Sequence, residues 1–131
     1  EAIYSANLEN AVELIGEQTT KNLVHLYQSC ALFIFPSTVE TFGNPLVEAM
    51  ACGTPIASSN TAAMPEILGD AATYFDPLDV KDMANTIISI LENKNERQRL
   101  GALALERAKL FSWQKTASQT ASIIKSVASS G

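Results

Sequence analysis

Positive charge is scarce in this sequence. Nine lysines and arginines stand against 14 aspartates and glutamates, for a formal net charge of −5 at pH 7. No basic field is available to hold nucleic acid or an anionic membrane. Long apolar runs are also missing. The longest, Cys30-Ala31-Leu32-Phe33-Ile34-Phe35, stops at Pro36, far short of the ~20 residues that span a bilayer. Glu1 to Ser5 has no basic stretch followed by an apolar one, so no signal peptide is expected. Cysteine is limited to Cys30 and Cys52, with neither metal-ligand spacing nor the density of a disulfide scaffold. Both are expected to be buried, reduced thiols, which points to the cytosol. Internal repeats, low-complexity stretches and interdomain linkers are absent. The single histidine, His25, lies off the apolar face of its segment and reads as surface.

What remains is a chain of 131 residues, 47% apolar and 18% charged. That is enough for one core and excludes a disordered chain. Short β-rich runs occur at Ala11–Ile15, Ala31–Phe35, Pro55–Ser58 and Ala72–Phe75. The second is apolar throughout, as a strand covered on both faces should be. Helical segments alternate with them. Thr20 to Gln28 places Leu23, Leu26, Tyr27 and Cys30 on one face, and Pro45 to Cys52 ends at Gly53 in the C′ position. Met64 to Gly69 adds one more helical turn. The alternation predicts right-handed βαβ units and a parallel sheet. Three helices follow. Asp79 caps the first, with Val80, Met83, Ala84, Ile87 and Leu91 facing the core. The second starts near Asn95 and carries Leu100, Leu103, Ala104 and Ala108 on one face. Ser112 caps the third, with Trp113, Ala117, Ala121, Ile124 and Ala128 as its core face, and Ala128 to Gly131 reads as a frayed end.

The chemistry is expected in Pro36-Ser37-Thr38-Val39-Glu40-Thr41-Phe42-Gly43-Asn44-Pro45-Leu46-Val47-Glu48. This stretch lies at the carboxyl end of a parallel strand, where open α/β sheets bind ligands. Gly43 lets backbone approach a ligand, and Pro45 suits a first helical turn. The N–H groups around Phe42, Gly43 and Asn44 then face outward from a helix N-terminus, which attracts phosphate. Glu40 and Glu48 stand in the same place. Two carboxylates beside an anion site need other partners, and a carboxylate can accept from two adjacent hydroxyls. A ligand with both phosphate and vicinal diols, such as a nucleotide sugar, would satisfy both. The plainer alternatives stay open: Glu48 answering the helix dipole, Glu40 solvated in a loop, Gly43 serving only the turn. Glu66 after Pro65 is equally open to a helix-start role, and Trp113 fits core packing.

The Glu40-to-Glu48 segment continues into Ala49-Met50-Ala51-Cys52-Gly53-Thr54-Pro55-Ile56-Ala57-Ser58. Together these resemble the Glu-x7-Glu signature of retaining glycosyltransferases of the GT-B fold, the family of glycosyl transferases group 1. Ile15-Gly16, Pro65-Glu66, Phe75-Asp76-Pro77 and Phe111-Ser112-Trp113 extend the resemblance from about Val12 to Trp113. It implies an α/β, Rossmann-like parallel sheet with flanking helices, followed by C-terminal helices. It also implies transfer of a sugar from a UDP- or GDP-linked donor to an acceptor hydroxyl, with retention at the anomeric carbon. By the same resemblance Glu40 is the candidate catalytic residue, touching donor-sugar hydroxyls. Glu48 would bind the ribose hydroxyls, and the backbone of Phe42, Gly43 and Asn44 would bind the sugar and diphosphate. No metal or further cofactor is implied, and the sequence has no Asp-x-Asp pair. The acceptor would be a glycan or lipid-linked glycan, and the parent protein would be cytoplasmic or peripheral to the membrane.

Two departures from the family pattern stand out. Thr41 replaces the Gly often found after the first Glu, and Ala62-Ala63 occupies a place where Gly-Gly is common. The resemblance further implies that residues 1–131 are an incomplete GT-B C-terminal domain, without the N-terminal acceptor domain and without two strand–helix units ahead of Ala11. The strand at Ala11–Ile15 would then either pair beside that at Ala31–Phe35 or leave edges that invite self-association. Two readings compete: a glycoside hydrolase using both glutamates, whose carboxylates would have to flank the scissile bond, and a flavodoxin-like binding module.

Overall fold

The computed structural model describes residues 1–129. The chain opens with a single helical turn, α1 (Ala2–Ser5), and α2 follows at Thr20–Ser29. The Thr19 hydroxyl caps α2, accepting from the Asn22 amide. The first strand, β1, is Phe33–Phe35, and α3 (Asn44–Ala51) leads to β2 at Ile56–Ser59. A short α4 (Met64–Leu68) and a 3-10 turn (Gly69–Ala71) connect to β3 at Ala72–Phe75. Three helices complete the fold: α5 (Val80–Glu92), α6 (Lys94–Ala108) and α7 (Trp113–Ala128). Side chains start each of them. Asp79 accepts from the Lys81 and Asp82 amides, Asn93 from Glu96, and Ser112 from Lys115. Such caps stabilise a helix by about 1 kcal/mol each.

The three strands form one parallel sheet in the order β1-β2-β3. Phe33 pairs with Ile56 and Ile56 with Ala72, so the strands start level. The central strand is buried at all four positions. Alternation sends Ile56 and Ala57 to opposite faces, and each face has its own core. On one face Ile56 meets Leu46, Met50, Met64 and Leu68 from α3 and α4. On the other Ala57 and Phe75 pack with Ile90 of α5 and Leu100 of α6. Helix α6 serves both cores, since its Ala104 joins the first. It comes close enough to α3 that a Cβ on Gly101 would lie 2.6 Å from the Gly53 carbonyl oxygen. Gly53 itself has φ +71, the left-handed C′ conformation expected after α3. Arg107 of α6 reaches back to α4, donating to the carbonyls of Ile67 at 2.9 Å and Glu66 at 2.6 Å. The tail of that short helix is thereby satisfied.

Four expectations are corrected. Residues 11–15 form no strand. The chain turns there instead, with the Ala11 and Val12 amides donating to the Leu8 carbonyl. Val12, Leu14 and Ile15 stay exposed and the outer edge of β1 gains no neighbour. A short β-rich run forms a strand only where a ladder partner exists. The core face of α5 is rotated: Ile90 is its buried residue, Met83 and Ile87 are half-buried, and Val80, Ala84 and Leu91 are exposed. Helix α7 buries nothing. Its Trp113 is 82% exposed, and Ala117, Ala121, Ile124 and Ala128 are exposed with it. An apolar stripe at helical spacing is buried only where another surface faces it, and no described element covers this one. The two thiols are free, but Cys30 is exposed and Cys52 only half-buried. Ser130 and Gly131, expected to fray, lie outside the described residues.

Candidate functional site

The loop from Pro36 to Gly43 leaves the carboxyl end of β1 and is tied to the loop after β2. Ser59 Oγ donates to the Ser37 carbonyl at 2.6 Å, and Thr61 Oγ1 to the Thr38 carbonyl at 3.1 Å. These hydroxyls hold an eight-residue connection against the sheet edge without regular structure. Within it Ser37 Oγ donates to Glu40 Oε1 at 3.1 Å. One oxygen of the half-buried Glu40 carboxylate is thus oriented, and the other keeps its acceptor capacity.

Gly43 has φ +78 and ψ 62. A side chain there would be strained by the backbone and pressed to 3.1 Å from Leu46 Cδ1. The left-handed turn starts α3 with Pro45 in its first turn and no side chain capping its N-terminus. The first amides of the helix therefore have no side-chain acceptor, the arrangement that favours a bound anion. Phe42 turns away from the strand and meets Phe111 edge-on, ring centroids 5.9 Å apart. Beside this contact runs a groove of about 580 Å³ lined by Phe42, Asn44, Phe111, Trp113, Lys115 and Thr116. The Phe-Ser-Trp segment that opens α7 thereby borders the start of α3.

Glu48 stands exposed on α3, about one turn beyond Asn44. Its Oε2 accepts from the Tyr27 hydroxyl at 3.3 Å. Burial first, and then the Glu48 charge and this hydrogen bond, push the Tyr27 hydroxyl up to about 12. Burial, with the Glu48 charge behind it, also raises the Cys52 thiol. Across the cleft in sequence, the loop after β2 carries Ala62 at φ +50, a conformation ordinarily left to glycine. Of the Ala62-Ala63 pair only Ala62 takes this conformation; Ala63, at φ −79, is ordinary right-handed backbone. Glu66 lies in the first turn of α4 and is exposed, which suits the helix dipole.

The structure thus gathers Glu40, Phe42, Gly43, Asn44 and Glu48 on one loop-and-helix unit at the end of β1. Three further residues adjoin them: Ser37 and Tyr27 through hydrogen bonds to the two glutamates, and Lys115 along the groove. Ser37 was legible from its spacing to Glu40. Tyr27 and Lys115 were not, because they reach the site from other elements. His25 is exposed as expected. Among the described residues no three His, Cys, Asp or Glu side chains converge as metal ligands, and no helix is long and apolar enough to cross a membrane.

Residues 1–107 match the family described as Glycosyl transferases group 1. The O-antigen chain mannosyltransferase B of Escherichia coli is 36% identical over 117 residues, covering 89% of this chain and 31% of that protein. The MMP alpha-(1->4)-mannosyltransferase of Mycolicibacterium hassiacum is 37% identical over 125 residues, covering 92% of this chain and 30% of that protein. Sucrose-phosphate synthase from Thermosynechococcus elongatus superposes with a TM-score of 0.90 at 28% identity, over 99% of this chain and 33% of that one. Anabaena HepE, solved in complex with UDP-glucose, gives a TM-score of 0.85 at 26% identity, over 95% of this chain and 35% of that one. The chain spans about a third of the length of these relatives. Neither the hydrolase nor the flavodoxin-like reading is favoured by these likenesses. The parallel sheet, the glycine turn between two glutamates and the family match together establish that the chain belongs to the group 1 glycosyl transferases.

Proposed function

We propose that these residues form the donor-binding part of a retaining glycosyltransferase. The parent protein moves a hexose from a UDP- or GDP-linked donor to an acceptor hydroxyl on a glycan or lipid-linked glycan. Residues 1–131 correspond in this reading to part of the C-terminal domain, and a separate domain binds the acceptor. The observation that carries it is the pairing of an uncapped α3 N-terminus with Glu40 and Glu48 at the end of a parallel strand. The α3 amides hold the diphosphate, Glu40 accepts from the sugar hydroxyls, and Glu48 accepts from the ribose diol. Catalysis is then mainly positioning and charge stabilisation, without a bound metal. The names of the mannosyltransferase relatives and the UDP-glucose complex of HepE support the donor class. The O-antigen relative supports a role in polysaccharide assembly. Two free thiols support a cytoplasmic setting.

The test is made in the parent protein. Glu40→Gln and Glu48→Gln each remove a charge-assisted contact worth about 1.5–3 kcal/mol. Each should therefore lower transfer by roughly ten- to a hundredfold without unfolding the protein. The product anomer, read by NMR, should match that of the donor. Transfer within twofold of wild type in both variants, or an inverted product, overturns the reading.

A further inference from the structure

Helix α2 packs against α3 and brings Tyr27 beneath Glu48, 21 residues further along the chain. Tyr27 is the buried residue of α2, 9% exposed, whereas Glu48 is exposed. The tyrosine is held at both ends. Thr54 Oγ1, itself buried, donates to its carbonyl at 2.8 Å. Its ring meets Phe33 of β1 edge-on at 5.3 Å and 88°. Only the hydroxyl reaches outward, to Glu48 Oε2.

A glutamate on an exposed helical face samples several rotamers, and ordering them on binding weakens affinity. A carboxylate also has about four acceptor positions, and a single donor leaves most of them free. We propose that Tyr27 is a positioning residue for Glu48, fixing its carboxylate so that the remaining acceptor positions meet the vicinal hydroxyls of a nucleoside diphosphate. This inference rests on the proposed donor site. Because burial keeps the phenol protonated to about 12, it remains a donor at every pH in which the protein would be handled. Packing alone does not account for the arrangement. Phenylalanine would fill the same place against Phe33 and the core on that face, and only tyrosine offers the carboxylate a donor.

The experiment is an NMR titration of the 15N-labelled chain with UDP and GDP and with their 2′,3′-dideoxy counterparts. Wild type should prefer the ribonucleotide by about tenfold, the least that a charge-assisted contact to the diol should give. In Tyr27→Phe the preference should fall below about threefold, with the spectrum and melting temperature otherwise kept, and in Glu48→Gln it should vanish. A full preference in Tyr27→Phe alongside its loss in Glu48→Gln overturns the inference and leaves the donor site standing. A wild type that binds neither nucleotide, or shows no preference, overturns the donor site and the inference with it. Should Tyr27→Phe not fold, the wild-type ring resonances of Tyr27 decide. Shifts with the ribonucleotide alone support positioning, and equal shifts with both nucleotides overturn it.

Discussion

Ala62 is the residue whose backbone conflicts most plainly with its side chain. At φ +50 a non-glycine residue is destabilised by about 1–2 kcal/mol. Its methyl group is exposed and makes no core contact that would offset this. Ala62→Gly should therefore raise stability by up to about 1 kcal/mol, after the greater freedom of glycine in the unfolded chain is counted. Urea denaturation reads it, and an unchanged or lower midpoint would show that the turn is not strained. Nothing in the sequence around Ala62 signals a positive φ; it is visible only in the fold. Gly43 was legible because a glycine just ahead of Asn-Pro has few other uses. The contact between Tyr27 and Glu48 had no local signal, since pairing across 21 residues depends on how α2 crosses α3.

Elements whose stability is local are legible in the sequence. Strand β3 matches its expected bounds, β2 is displaced by one residue, and Asp79 and Ser112 cap as their side chains foretell. Elements whose burial depends on distant partners are not legible in this way. Residues 11–15 and the apolar stripe of α7 carry ordinary patterns, but a pattern does not supply the surface that covers it. The packing of α6 on α3 lies between these cases. Leu100 and Ala104 were placed on the right face, while Gly101 passed unnoticed because a glycine in a helix announces nothing by itself. Its role is steric: the α3 turn at Gly53 leaves no room for a Cβ. Gly101→Ala should gain about 1 kcal/mol of helix propensity. It should lose about 1–3 kcal/mol through overpacking against backbone. A lower melting temperature is the expected balance, and a raised one would mean that the two helices separate at little cost.

At the scale of the whole molecule, a three-stranded parallel sheet with a core on each face presents one loop-and-helix unit at the end of β1. That unit concentrates the α3 N-terminus, Glu40 and Glu48. The groove beside it is lined in part by α7, a helix that buries none of its own residues. The general architecture was legible because strand and helix alternate so regularly, and the grouping of the candidate residues because they are contiguous in the chain. The sheet's extent was not legible, since it depends on which edges find partners. With only nine lysines and arginines and two glutamates in the site, donor binding by this chain alone should be weak. The expected dissociation constant is of millimolar order, about −4 kcal/mol. The most direct test follows the amides of the 15N-labelled chain during titration with UDP-glucose and with a GDP-linked hexose. Millimolar saturation is expected, with the largest shifts at Glu40, Phe42, Gly43, Asn44 and Glu48, and with those shifts reduced in Glu48→Gln. Shifts centred elsewhere, or none at millimolar donor, would contradict it.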